Sequence, residues 1–147
     1  MKCNEKRDDL ERAKAALAAG DYTCVLCRGE EIHTTTLRGV KPLVSWLESG
    51  GDFRGFCAAD KVVGRATAYL YRLLGVEQVY AQVMSESALA VLEQAGVAAS
   101  FARLVPCIIN RKGDGICPFE AAVLEIRDPE EARAAIYKKM DEMGIPR

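Results

Sequence analysis

Residues 53–84 read FRGFCAADKVVGRATAYLYRLLGVEQVYAQVM, and the change of period inside this stretch sets the fold. Phe53 to Ala59 is a short apolar run of strand character. Asp60 stands where a helix N-cap belongs. Lys61 to Leu74 follows with Val63, Ala66, Leu70, Leu73 and Leu74 at helical spacing, and Gly75 stops it. Gln78 to Met84 then alternates as a strand. Two strands joined through a helix are parallel neighbours in one sheet, with the helix packed on it.

Working outward, the pattern continues on both sides. Upstream, Glu5 to Ala19 reads as a helix with Leu10, Ala13 and Leu17 on one stripe. Tyr22–Arg28 and Glu31–Thr36 read as a hairpin turning at Gly29-Glu30. Gly39 to Ser49 reads as a short helix closed by Gly50-Gly51. Downstream, Ser85 caps a helix that runs to Gln94, and Phe101 to Ile109 is β-rich up to a break at Pro106. Asn110 to Gly115 is a polar, glycine-rich loop. Pro118 opens a helix after Cys117, and Asp128-Pro129-Glu130-Glu131 opens a last one that ends at Gly144. Helices and strands in this order call for an α/β fold, a mixed sheet covered on both faces, and a single domain over residues 1–147.

Composition narrows the function classes. Hydrophobic residues make up 50% and charged residues 28%, an ordinary globular mixture. Twenty basic against 21 acidic residues leave a net charge of −1, so no global field draws the chain to nucleic acid or to acidic membranes. The first residues, Met1-Lys2-Cys3-Asn4-Glu5-Lys6, hold no apolar signal core, and no apolar run has spanning length. The chain is expected to be cytoplasmic, with its six cysteines reduced. Cys24 and Cys27 share a C-x-x-C spacing, but on a strand positions i and i+3 face opposite sides of the sheet.

Two stretches, Asp60-Lys61-Val62-Val63-Gly64-Arg65-Ala66 and Gly115-Ile116-Cys117-Pro118-Phe119-Glu120, together with the element order, resemble an uncharacterised prokaryotic family, a domain of unknown function within the cytidine-deaminase-like fold. The resemblance spans nearly the whole chain. It implies a three-layer α-β-α sandwich with a mixed five-stranded sheet. It does not bring zinc deaminase chemistry with it. That chemistry needs a His or Cys ligand, a nearby catalytic Glu and a Pro-Cys-x-x-Cys pair. Here the single histidine, His33, precedes Thr34-Thr35, and Pro106-Cys107 lacks the second thiol. No metal ligand set and no cofactor is predicted.

Ligands of open α/β sheets sit beyond the carboxyl ends of parallel strands, at helix N-termini. Three such starts are candidates: Arg38 to Lys41, Asp60 to Arg65, and Ser85-Glu86. The first two are basic, although helix N-termini favour acids. Lys61 and Arg65, four apart on one helical face, either hold a bound anion or pair with Asp60, Glu86 or Glu120. Gly64, read as interior to that helix, either permits close packing or lets a ligand touch the backbone. Cys117 and Glu120 are either a nucleophile with its base or a capping turn. The ligand-binding candidates are thus Arg38, Lys41, Gly64, Arg65 and Glu86, and the catalytic candidates are Asp60, Lys61, Cys117 and Glu120. The expected partner is an anionic or nucleotide-like small molecule. A metal-independent enzyme using Lys61, Asp60 and Cys117, and an interaction or homo-oligomeric module, are the alternatives.

Overall fold

The computed structural model describes residues 2–110 and 112–147, with side chains from Asp8 onward. Its elements are α1 (Lys2–Ala19), β1 (Cys24–Arg28), β2 (Glu31–Thr35), α2 (Lys41–Glu48), β3 (Cys57–Val63), α3 (Arg65–Leu74), β4 (Gln78–Ser85), α4 (Glu86–Gln94), β5 (Ala98–Val105), α5 (Pro118–Ala122) and α6 (Pro129–Met143). The strands form one five-stranded sheet in the order β2-β1-β3-β4-β5. The β1–β2 hairpin brings Arg28 opposite Glu31 across Gly29-Glu30. Gly29 takes φ 60°, the left-handed conformation that a two-residue hairpin turn requires. β1 pairs antiparallel with β3, whereas β3–β4 and β4–β5 are parallel, so the sheet is mixed.

Helices lie on both faces. On one, Ala13 and Leu17 of α1 pack on Val25, Cys27 and Ala59. On the other, α2, α3, α4 and α6 enclose the larger core, which contains Cys24, Leu26, Ala58, Leu43, Leu70, Leu92, Ile136 and Met140. β1 is buried on both sides and is accordingly apolar throughout Cys24–Cys27. Cys24 and Cys27 belong to opposite cores, as strand alternation requires, and Cys24, Cys27, Cys57, Cys107 and Cys117 form no disulfide. Cys3 lies outside the described side chains. Among the described residues no helix is long and apolar enough to cross a membrane.

The main correction to the sequence reading falls on the deciding stretch itself. Asp60 is no N-cap, and Lys61 does not open a helix. β3 continues to Val63, with Asp60 opposite both Cys24 and Ala81, Val62 opposite Val83 and Val63 opposite Met84. Pairing with β1 reaches Asp60, and pairing with β4 alone extends the strand through the β-branched pair Val62-Val63, outweighing the local helical spacing. Its beginning also moves: Phe53 and Phe56 are buried in the preceding loop, and pairing starts at Cys57. α3 starts at Arg65, so Gly64 is its N-cap rather than an interior residue. The other caps stand where the sequence puts them. The Ser85 hydroxyl accepts from the Ala88 N–H at 3.0 Å, and Asp128 accepts from the Glu131 N–H at 3.0 Å.

Candidate functional site

The cavity at the carboxyl end of β3 has a volume of about 380 Å³. β1's entry supplies Thr23 and Cys24, the β2–α2 connection supplies Leu37 to Val40, and the β3–α3 junction supplies Asp60 to Thr67 in part. Ile108, Cys117, Phe119 and Glu120 close it from the segment that follows β5. Its position is the one that open α/β topology assigns to ligands, beyond the strand ends where helices begin.

At its floor lies Asp60, 8% exposed. Tyr71 of α3 donates its hydroxyl to Asp60 Oδ2 at 2.6 Å, and the Val62 N–H donates to Oδ1 at 3.3 Å. The Cys24 Sγ stands 3.0 Å from the same tyrosine hydroxyl. Burial raises the Asp60 carboxyl from 3.8 to about 6, with the Tyr71 and backbone hydrogen bonds pulling the other way. Burial also lifts Cys24 and Tyr71 well above their ordinary values, and the neighbouring Asp60 charge adds to both shifts. The trio therefore holds one titrating group near neutrality, the carboxyl.

Glu120 acts at a distance that sequence spacing does not reveal. Its Oε1 accepts from the Arg65 N–H at 2.7 Å, and its Oε2 accepts from the Ala66 N–H at 2.9 Å. It thus caps α3 from 55 residues away, instead of folding onto its own short helix. Gly64 makes this possible sterically. A Cβ there would lie 2.4 Å from Glu120 Oε1 and 2.5 Å from its Cδ. The glycine's backbone is ordinary extended chain, φ −103° and ψ −175°, so space is what it contributes.

Of the nine candidate residues, Arg38, Asp60, Lys61, Gly64, Cys117 and Glu120 line this cavity. Arg38 and Lys61 are exposed, and neither has an ion-pair partner among the described residues. Alternation along β3 sends the Lys61 side chain toward the face bearing α1, opposite Asp60, so it contributes at the rim. Lys41 and Glu86, the first residues of α2 and α4, do not line the cavity. Arg65 is a correction. It shares no helical face with Lys61, and its guanidinium is spent on the protein. It donates to the Val123 carbonyl at 3.0 Å, to Ser87 Oγ at 2.8 Å, to Tyr69 Oη at 3.0 Å and to the Ile126 carbonyl. It ties the starts of α3 and α4 to the α5–α6 connection.

Sequence reasoning missed Tyr71 and Thr67. They are four apart on α3, the spacing that puts two side chains on one helix face, and a phenol and a hydroxyl on an otherwise apolar stripe are the signal that marks them. Thr67 is 9% exposed and lines the cavity. His33 has an acidic neighbour on its own strand: its Nε2 lies 2.8 Å from Glu31 Oε2. Its ring packs edge-on against Phe53, with centroids 5.2 Å apart, away from the cavity. A zinc centre of deaminase type needs three thiolate or imidazole ligands around one point. Among the described residues no three His, Cys, Asp or Glu side chains are grouped to hold an ion, and the β3–α3 and β4–α4 junctions present Gly64, Arg65, Ser85 and Ser87. The residues present do not fit zinc.

Comparison with known proteins adds the following. The family profile TM1506, domain of unknown function DUF1893, matches residues 12–140. A crystal structure of a DUF1893 family protein from Thermotoga maritima, TM1506, superposes with a TM-score of 0.84 at 28% identity, covering 90% of each chain. A dCMP deaminase from the cyanophage S-TIM5, in apo form, superposes with a TM-score of 0.42 at 15% identity, covering 69% of this chain and 99% of its own. No curated protein matches the chain.

Proposed function

The chain belongs to the DUF1893 family of domains of unknown function, and on that footing we propose that the cavity at the end of β3 is a binding site for a small anionic molecule of nucleotide-like size. One observation carries the reading. A single cavity of about 380 Å³ combines two rim cations that have no ion-pair partner among the described residues, Arg38 and Lys61, with a buried carboxyl, Asp60. The volume lies within the range of small-molecule sites, roughly 300–1,000 Å³. Unpaired cations at a concave mouth attract an anion. A carboxyl held in low dielectric works against stability at neutral pH, and such groups concentrate at functional sites.

The apolar wall formed by Leu37, Val40, Pro42, Val62 and Phe119 suits the body of the ligand, and Arg38 with Lys61 suits its charged end. A thermal-shift screen over nucleotides and phosphorylated metabolites tests the reading. A ligand at 100 times its Kd adds ~2.7 kcal/mol. The expected result is an upward shift that Arg38→Ala removes. Shifts that persist unchanged in Arg38→Ala and in Lys61→Ala contradict the reading.

The partly exposed Cys117 thiol on the same cavity favours a second reading, a metal-independent enzyme with Cys117 as nucleophile and Asp60 as its acid or base. It requires that thiol-specific modification of Cys117 abolish turnover of a ligand found in the screen. Turnover that survives in Cys117→Ser rejects it.

A further inference from the structure

The polar side chains deep in the cavity are already engaged within the protein. The Thr23 hydroxyl is shared between the Thr35 and Leu37 carbonyls. Asp60 is taken by Tyr71, by Cys24 and by the N–H groups of Val62 and Lys61. Glu120 accepts from the N–H groups of Arg65 and Ala66. Among the described residues no buried side-chain oxygen or nitrogen lacks a hydrogen-bond partner. The interior thus holds no free buried side-chain donor or acceptor with which to read a base or a sugar. A polar group pushed into it would lose its hydration without return.

What the interior does offer is hydrocarbon. Leu37, Val40, Pro42, Val62, Ile108 and Phe119 line it from separate elements. Phe119 is the one ring among these six, so the wall gives aliphatic contact rather than the stacking faces that hold a base. Two of the aliphatic side chains stay open to water at the mouth: Leu37 is 44% exposed and Val62 is 45% exposed. Each is the chain neighbour of a rim cation, Leu37 of Arg38 and Val62 of Lys61. The mouth therefore joins positive charge to exposed hydrocarbon. Charge is also ordered by depth. The acids Asp60 and Glu120, each 8% exposed, lie inside, and the exposed cations lie outside. An anion is repelled from the interior and attracted to the rim.

We infer that this cavity takes an anionic amphiphile, an unbranched aliphatic carboxylate whose chain fills the interior while its charged group stays at Arg38 and Lys61. The inference rests on the anion-binding function proposed above and names the ligand class, with an aliphatic chain in place of a nucleotide's base and sugar. Probes that carry the chain alone, the charge alone and both together separate the two readings.

The experiment is isothermal titration calorimetry at pH 7.5 and constant ionic strength with hexanoate, octanoate, 1-octanol, adenosine monophosphate and inorganic phosphate, each below the concentration at which it self-associates. Octanoate should bind once per chain with a negative heat-capacity change. It should bind about fifteenfold tighter than hexanoate, because each methylene withdrawn from water is worth about fourfold in affinity. It should also bind more tightly than adenosine monophosphate. A variant carrying Arg38→Ala and Lys61→Ala should bind octanoate no better than the wild type binds 1-octanol. Val62→Thr, a β-branched exchange at an exposed position, should weaken octanoate about fivefold and leave phosphate binding unchanged. Equal binding of hexanoate and octanoate, tighter binding of adenosine monophosphate than of octanoate, or octanoate uptake that Val62→Thr does not change overturns the aliphatic inference. Phosphate or adenosine monophosphate binding that depends on Arg38 then still supports the anion site. Equal binding of octanoate and 1-octanol, untouched by removal of both cations, overturns the anion reading and the inference with it. Absence of binding by every probe overturns both as well.

Discussion

Replacing Gly64 with alanine tests the contact on which the start of α3 depends. The added Cβ would sit 2.4 Å from Glu120 Oε1, 2.5 Å from Cδ and 2.8 Å from Oε2, so the carboxyl must leave. Alanine tolerates φ −103° and ψ −175°, and at an unhindered site of this kind the substitution would stabilise by about 0.4–1 kcal/mol through the unfolded chain. Against that stands the loss of two backbone hydrogen bonds to Glu120 at 2.7 and 2.9 Å. Losing a cap costs about 0.5–2 kcal/mol, and a buried group left unsatisfied costs about 1–3 kcal/mol. The expected net loss is about 2–3 kcal/mol, or roughly 5–10 °C in Tm for a chain of this size. Urea denaturation of the wild type, Gly64→Ala, Glu120→Ala and the double variant measures it. Once Glu120 is removed, Gly64→Ala should become neutral or mildly stabilising, giving a coupling energy of about 2–3 kcal/mol. If the two substitutions are additive within about 0.5 kcal/mol, Gly64 does not serve to admit Glu120, and the reasoning fails.

Three further outcomes are expected. Asp60, raised from 3.8 to about 6 on folding, binds its proton more tightly in the native state, so between those values stability falls as pH rises, by about 3 kcal/mol in all. Asp60→Asn should therefore gain up to that amount over wild type at pH 7.5 in urea denaturation and lose the gain by pH 4, whereas a pH-independent difference contradicts the assignment. Arg65→Met leaves the Val123 carbonyl and Ser87 without their donor, while the Ile126 carbonyl keeps the Tyr69 hydroxyl, and should cost about 2–3 kcal/mol by the same measurement; a cost below about 0.5 kcal/mol would mean that these bonds do not hold α3 to the α5–α6 connection. Under native conditions iodoacetamide should label the partly exposed Cys107 and Cys117, while Cys24, 1% exposed and with its thiol pKa raised by burial, stays unlabelled; mass spectrometry showing Cys24 modified as fast as Cys117 refutes its burial.

Local chemistry made part of this fold readable. Ser85 and Asp128 cap the helices that follow them because a capping side chain acts on N–H groups three residues away, well within sequence reach. The hairpin at Gly29 and the opposed faces of Cys24 and Cys27 follow from turn geometry and strand period. The β3–α3 boundary was not readable in the same way. Asp60 has the composition of a cap, and Val63, Ala66 and Leu70 have helical spacing, but the position of the boundary depends on β4, whose pairing carries the strand through Val63. The two stretches that carry the family resemblance meet in space, since Glu120 of the second caps Gly64-Arg65-Ala66 of the first. That contact gives a physical reason for the pair of motifs, and a partner 55 residues away has no local signature. The same limit applies to Arg65. Its charge suggested an anion, and only the fold reveals the carbonyls of Val123 and Ile126 as its acceptors.

The most direct test of the central proposal is a crystal structure of the protein grown with the anion that gives the largest thermal shift. The account predicts density for that ligand in the cavity at the end of β3, with its charged group at Arg38 and Lys61 and its body against Leu37, Val40 and Phe119. A ligand bound with full occupancy anywhere else, with this cavity holding only water, would contradict it.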